Sequence, residues 1–412
     1  MKFLEIIKGH KYIVLIGIAS AIYTTGNGAV FFLLPLLLGK LTENFMLLGL
    51  MIAIPSVFSM FFDIPTGELA DCVGRKKLVI LGLGGMIVFA LLLPFADSLE
   101  TLAFLLLLLG FSNQLINVPI RSYVMEIAPK DKTSEYFGVQ LTGMQLGFTL
   151  APLIAGVLLS EDILAGRAVV SLLYIVTCAL AIVLVHFGVR ETLMERKSLA
   201  CGIRSVITKD NIFMKGLMEY RALKSAGLVI FLLTLSFIIT DGLIWAIEPL
   251  YNNLGIGTEM VGVILSMFVL PFVLFQIPAG FLADRVGKVK VLMFGLFLAG
   301  SFLIIFGLTR DVYIMITAAF VSTLGLALAV PATDGLLTDV SSGKDRGSVV
   351  GVWDVAEDLG YIIGPIMGGI IAELYQDITI PFIFLGAFLL LLIVPVLFIR
   401  NKKPEISHNA VP

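Results

Sequence analysis

Gly67-Glu68-Leu69-Ala70-Asp71-Cys72-Val73-Gly74-Arg75-Lys76-Lys77 decides how this chain is read, because it returns 213 residues later as Gly280-Phe281-Leu282-Ala283-Asp284-Arg285-Val286-Gly287-Lys288. At that shift the halves align without a gap over a long stretch. Gly49 meets Gly262, Pro65 meets Pro278, Gly82 meets Gly295, Glu126 meets Asp339, Gly138 meets Gly351 and Pro152 meets Pro365. Whatever bundle one half forms, the other should form as well.

The composition places both copies in lipid. Of the 412 residues, 58% are hydrophobic and 14% charged, and the mean hydropathy is +1.03. Soluble domains carry about 25% charged residues, so too few charges remain to cover a water-exposed globule. Basic and acidic residues nearly cancel (28 against 30, net −2), which excludes nucleic-acid binding through net positive charge. Three cysteines (Cys72, Cys178, Cys201) and three histidines (His10, His186, His408) stand at unrelated spacings and suggest neither a disulfide framework nor a metal site. The N-terminal lysines, apolar run and Ala19-Ser20-Ala21 resemble a signal peptide, but the apolar stretch continues to Leu38 and reads as a first, uncleaved span.

A helix needs about 20 apolar residues to cross a bilayer. Twelve stretches qualify: 12–38, 45–66, 78–95, 99–123, 136–159, 168–189, 225–250, 260–279, 291–308, 312–337, 348–372 and 380–399. An even number puts both termini on one face. Of the 28 Lys and Arg, 24 fall in the tails and in loops after even-numbered spans, here called the basic face. Lys40, Arg167 and Arg310 fall on the far face, and Arg121 within a span. The positive-inside rule then predicts that the basic face, with both termini, is cytoplasmic, in an integral protein of the plasma membrane. The division is a six-helix half over 1–189, a linker over 190–224, a second half over 225–400 and a tail over 401–412. The linker carries eight basic and four acidic residues. Apolar residues at near-helical spacing over 203–217 fit an amphipathic helix on the inner leaflet, and a solvated tether fits equally. Repeat mates lie six spans apart and cross the membrane in the same direction, so the halves are related by an axis along the membrane normal.

The stretch 67–77 resembles the signature loop of the major facilitator superfamily, with its echo at 280–288. The resemblance covers the whole chain and implies an all-α membrane fold of twelve helices in two pseudo-symmetric halves. It also implies secondary transport by alternating access. Substrate does not follow from it. In that family the first Asp, here Asp71, faces the N-terminus of span eleven, and Arg75 pairs with the acid ending span four, here Glu126. Together they latch one conformation, with Asp284, Lys288 and Asp339 as second-half counterparts. A plain positive-inside anchor explains Arg75-Lys76-Lys77 but not the repeated Asp. Cys72 stands where the family usually has Arg, removing one contact.

Span five places small residues at Gly138, Gly147, Ala151, Ala155 and Gly156 around Pro152. Span eleven repeats every position, at Gly351, Gly360, Gly364, Gly368 and Gly369 around Pro365. Such residues let helix backbones touch. The span-five version is similar to a motif of drug–proton antiporters; its recurrence in span eleven reduces its weight as a sign of direction, and the balance inclines to export. The Gly-Lys pairs at 39, 287 and 343 lack a following Ser or Thr. No nucleotide site is expected, nor any cofactor, and the chain should act as a monomer on an ion or substrate gradient.

Charges inside spans are costly and mark function. Asp241 and Glu248 lie two turns apart on span seven with Trp245 between, and Asp354, Glu357 and Asp358 cluster on span eleven ahead of Tyr361. Of these, Asp241 is the preferred proton-coupling acid, since it has one acidic neighbour on its face. The repeat mates Arg121 and Asp334 suggest an inner gate, with snorkelling of Arg121 as the competing explanation. Asp63 and Glu68 read as solvated or latch-supporting charges. Span seven lines the cavity in the family, as does its mate, span one. The candidate cavity residues are Tyr23, Asn27 and Phe31 of span one, Asn113 and Asn117 of span four, Trp245 of span seven and Tyr361 of span eleven. Aromatic groups with a few acids suit small lipophilic or amphipathic substrates, cations among them, exported in exchange for protons. The alternative is a proton-coupled sugar or metabolite carrier, and a non-transporting receptor would leave the intramembrane acids without a role.

Overall fold

The computed structural model describes residues 11–129, 133–159, 162–192, 224–340 and 346–397, and these hold no strand. The first half comprises α1 (Lys11–Leu41), α2 (Phe45–Val73), α3 (Arg75–Leu92), α4 (Leu99–Ile127), α5 (Thr133–Leu158) and α6 (Ile163–Gly188). The second comprises α7 (Lys224–Ile247), α8 (Thr258–Met267, resuming as Leu270–Val286), α9 (Lys288–Leu308), α10 (Val312–Val340), α11 (Arg346–Tyr375) and α12 (Ile380–Leu391, resuming as Ile393–Leu397). Among the described residues eleven are long and apolar enough to cross a bilayer; α11 spans 30 residues, and the side chains of its first turns lie outside the described residues. Residues 193–223 and 398–412, which hold most of the expected linker and the tail, lie outside the described residues.

Local signals fix several helix ends. Asn44 accepts a bond from the Leu47 amide at 2.8 Å to start α2, and Ser98 with Thr101 forms a capping box before α4. The stretch expected as a loop at 67–77 is almost entirely helical: α2 runs on to Val73, α3 starts at Arg75, and Gly74 alone makes the turn at φ 109°. Gly287 does the same between α8 and α9 at φ 111°. An L side chain is strained in this region of positive φ, so a one-residue reversal requires glycine. Pro271 lacks an amide hydrogen, and α8 breaks just before it at Phe268 and Val269.

Packing follows the repeat. In the first half α1 lies on α5 and α6, α2 on α4, and α3 on α4 and α6; the second half repeats these pairings six helices later, except that α7 barely touches α12. The halves meet through α2 against α11 and through α5 against the first segment of α8, again a pair of mates.

Candidate functional site

The two contacts between halves are built on the repeated small residues. A Cβ on Gly49 or Gly262 would drive into the carbonyl oxygen of Pro365 or Pro152 respectively. A Cβ on Gly369 would lie 3.2 Å from the Gly49 Cα, and one on Gly156 would lie 3.3 Å from the Gly262 Cα. Backbone therefore rests on backbone at both seams, near the far face. The Phe45 amide donates to Glu373 at 2.8 Å on that side. Trp245 of α7 lies edge-on to Phe31 of α1 (ring centroids 6.4 Å) and to Phe148 of α5 (5.6 Å), closing the far side with aromatic bulk. Phe148 escaped the sequence reading because its helix was read for small residues alone.

Beneath this closure sit the polar groups. The Tyr361 hydroxyl of α11 donates to Asp241 Oδ2 of α7 at 2.7 Å, and the Trp245 side chain also reaches that carboxylate. Both helices belong to the second half. Across the cleft, Gln114 of α4 donates to Asp63 of α2 and, at 3.2 Å, to the Ser59 carbonyl. Asp63 in turn touches Asp358 of α11. Sequence reading left Asp63 as a surface charge; only the seam of α2 with α11 reveals its partner.

Three expectations are corrected. Arg121 meets Glu357 of α11, with Nη2 3.0 Å from Oε2, in place of Asp334. The reason is packing: α4 lies behind α2, which borders α11, whereas α10 sits among α7, α8 and α9. Asp334 is exposed on α10. Tyr23 and Asn27 do not line the cavity, being 4% and 3% exposed. They turn into the first half, Tyr23 donating to Asn117 at 3.2 Å and Asn27 accepting from the Tyr174 hydroxyl at 2.8 Å. Sidedness of α1 was inferred from its mate α7, but α1 packs on both α5 and α6. Of the other cavity candidates, Phe31, Asn113, Trp245 and Tyr361 are partly exposed. The side chains of Glu248, Asp339 and Asp354 lie outside the described residues.

On the basic face Arg75, 7% exposed, bonds Asp71 at 2.7 Å and Glu126 at 2.5 Å. The Asp71 side chain is 63% exposed; residues 341–345, which lead into the helix end it is expected to face, lie outside the described residues. Lys288, the mate of Arg75, donates to the Gly335 carbonyl at 3.0 Å, and Asp284 is exposed. Cys72 is buried, where a small side chain suits. Sequence reading missed that this turn also holds the exit of α6. Lys76 Nζ caps the carbonyls of His186 (2.6 Å) and Val189 (2.8 Å), and Glu191 accepts the Arg75 amide at 3.1 Å. Arg121 and Glu357 are 46% and 31% exposed in side chain, so solvent reaches the cleft from the basic face.

Comparison with known proteins agrees with this architecture. Residues 16–240 and 228–411 each match the profile of the Major Facilitator Superfamily. An uncharacterized MFS-type transporter of Methanocaldococcus jannaschii is 22% identical over 318 residues, 76% of this chain and 78% of that protein. Quinolone resistance protein NorA of Staphylococcus aureus is 27% identical over 170 residues, which is less than half of either chain (41% and 43%). Among solved structures, a peptide transporter POT in complex with sulfate superposes with TM-score 0.72 at 15% identity, covering 93% of each chain. The human organic anion transporter MFSD10 (TETRAN) superposes with TM-score 0.67 at 16% identity, covering 94% of this chain and 99% of that one. At such identities these two likenesses concern the fold alone.

Proposed function

Because the chain belongs to the Major Facilitator Superfamily and is an integral membrane transporter of small molecules, we propose that it exports small lipophilic or amphipathic compounds, cations among them, in exchange for protons. Asp241 carries the reading. A carboxylate held by Tyr361 beneath the aromatic closure of Phe31, Phe148 and Trp245 gives a cation both a counter-charge and π faces. It also gives a proton a place to compete with that cation, the minimum an antiporter needs. The partial likeness to NorA supports the drug-efflux direction.

In this reading the halves close the far face along the seams of α2 with α11 and of α5 with α8, and part there when that face opens. Asp71, Arg75 and Glu126 latch one state, and Arg121 with Glu357 replaces the expected inner gate. The basic face is cytoplasmic because it holds 24 of the 28 Lys and Arg. The protein works as a monomer in the plasma membrane, without nucleotide or cofactor. Inverted vesicles with an imposed pH gradient test the proposal: lipophilic cationic dyes should accumulate inside on acidification of the lumen. Saturable sugar movement with no dye transport would overturn it in favour of a metabolite carrier.

A further inference from the structure

We infer that Asp63 and Asp358 form a proton-held clasp between the two halves, joining α2 to α11 while they share a proton and releasing them when it leaves. The inference rests on the alternating-access reading above, but not on any particular substrate. Asp63 and Asp358 belong to different halves, and their carboxyls are within hydrogen-bond reach. An ionised carboxylate only accepts, so two of them can bond only through a proton held between them. Once it is lost, two anions face each other and repel.

The surroundings favour this single-proton contact. From α4, Gln114 is 6% exposed and donates to Asp63, fixing that carboxyl against the seam. Arg121, two turns further along α4, bonds Glu357, and both charges also act on Asp63, with opposite sign. On α11, Glu357 precedes Asp358, and Tyr361 one turn on is committed to Asp241 of α7; the Asp354 side chain lies outside the described residues. Asp241 differs in one respect. Its bond to Tyr361 stays inside the second half, so its proton alters no direct contact between halves, whereas the proton of the clasp does.

The seam also supplies a fulcrum. Asp63 lies 14 residues along α2 from Gly49, about 21 Å toward the basic face at 1.5 Å per residue. Gly49 rests on the α11 backbone at Pro365. Repulsion at the end of such a lever parts the basic-face ends of α2 and α11 while the far-face contact stays in place.

Distance measurement between spin labels tests the clasp directly. Cys72, Cys178 and Cys201 are replaced by serine, and labels are placed at Lys77→Cys and Lys290→Cys, exposed repeat mates on the basic face. The protein is studied full-length in lipid nanodiscs between pH 5 and 8. The parent chain should gain a longer-distance population as pH rises. Asp63→Asn and Asp358→Asn should each keep the short distance at every pH, because an asparagine amide donates to the remaining carboxylate without a titrating proton. Asp63→Ala should show the longer distance throughout, and Asp241→Asn should retain the parent's pH response. A pH response that persists in both asparagine variants, that vanishes only in Asp241→Asn, or that is absent from the parent overturns the clasp. Because the readout is a distance, it stands or falls separately from dye transport in vesicles, which decides the export reading.

Discussion

Gly262→Ala should move the transporter away from the state closed on the far face. The added methyl would be forced into the Pro152 carbonyl oxygen, with the Gly156 Cα beside it. Carbon atoms rest at about 3.5–4 Å from their neighbours, so the first segment of α8 and α5 must separate by about 1 Å or more. Overpacking of this kind costs about 1–3 kcal/mol. The cost falls only on the conformation in which these backbones touch, so it becomes a shift of about 5–150-fold in the equilibrium between far-face-closed and far-face-open states. Gly49→Ala strikes the mate seam against Pro365 and should act alike. The two seams share no residue, so the double variant should add the two effects. Gly138→Ala is the control from the same repeated pattern, since nothing stands within 4 Å of its would-be Cβ. The assay is a label pair at Glu100→Cys and Arg310→Cys, exposed on the far face of opposite halves. A longer-distance population should grow in Gly262→Ala and Gly49→Ala and not in Gly138→Ala. Equal distance distributions in all three would refute the argument that these seams close the far side.

Asp241→Asn should abolish gradient-driven accumulation while substrate exchange persists; accumulation with the parent's pH dependence would remove Asp241 as the coupling acid. Neutralising Arg121 or Glu357 should each slow transport, and exchanging the two residues should restore part of it. The pair is partly solvent-exposed, so the coupling energy from such a cycle should be about 1 kcal/mol or less. A comparable coupling between Arg121 and Asp334 would contradict the geometry. Gly74→Ala should lower the thermal midpoint more than Gly287→Ala. Both pay the strain of a positive φ outside the left-handed helical region, about 1–3 kcal/mol, but only Gly74 also has Glu191 against its would-be Cβ. Asp71→Asn should leave membrane insertion intact yet reduce transport in vesicles, through loss of its ion pair with Arg75.

The sequence by itself determined the fold class, the number of helices, their pseudo-symmetry and their basic face. Each of these rests on features repeated along the chain: apolar runs long enough for a bilayer, the recurrence at 213 residues, and the bias of Lys and Arg. It also marked the small residues of α5 and α11, and the structure places Gly156 and Gly369 of that pattern at the seams between halves. Helix-period arguments go no further than one helix. They can put Tyr23, Asn27 and Phe31 on a stripe of α1, but α1 is surrounded, and only packing decided that Tyr23 and Asn27 serve Asn117 and Tyr174 while Phe31 meets Trp245. The same limit explains Arg121. Repeat symmetry pairs it with Asp334 by position, but symmetry relates equivalent residues without making them neighbours. The tertiary structure gave it Glu357, and gave Asp63 to Asp358, because α2 and α11 share a seam that no spacing along a single chain encodes.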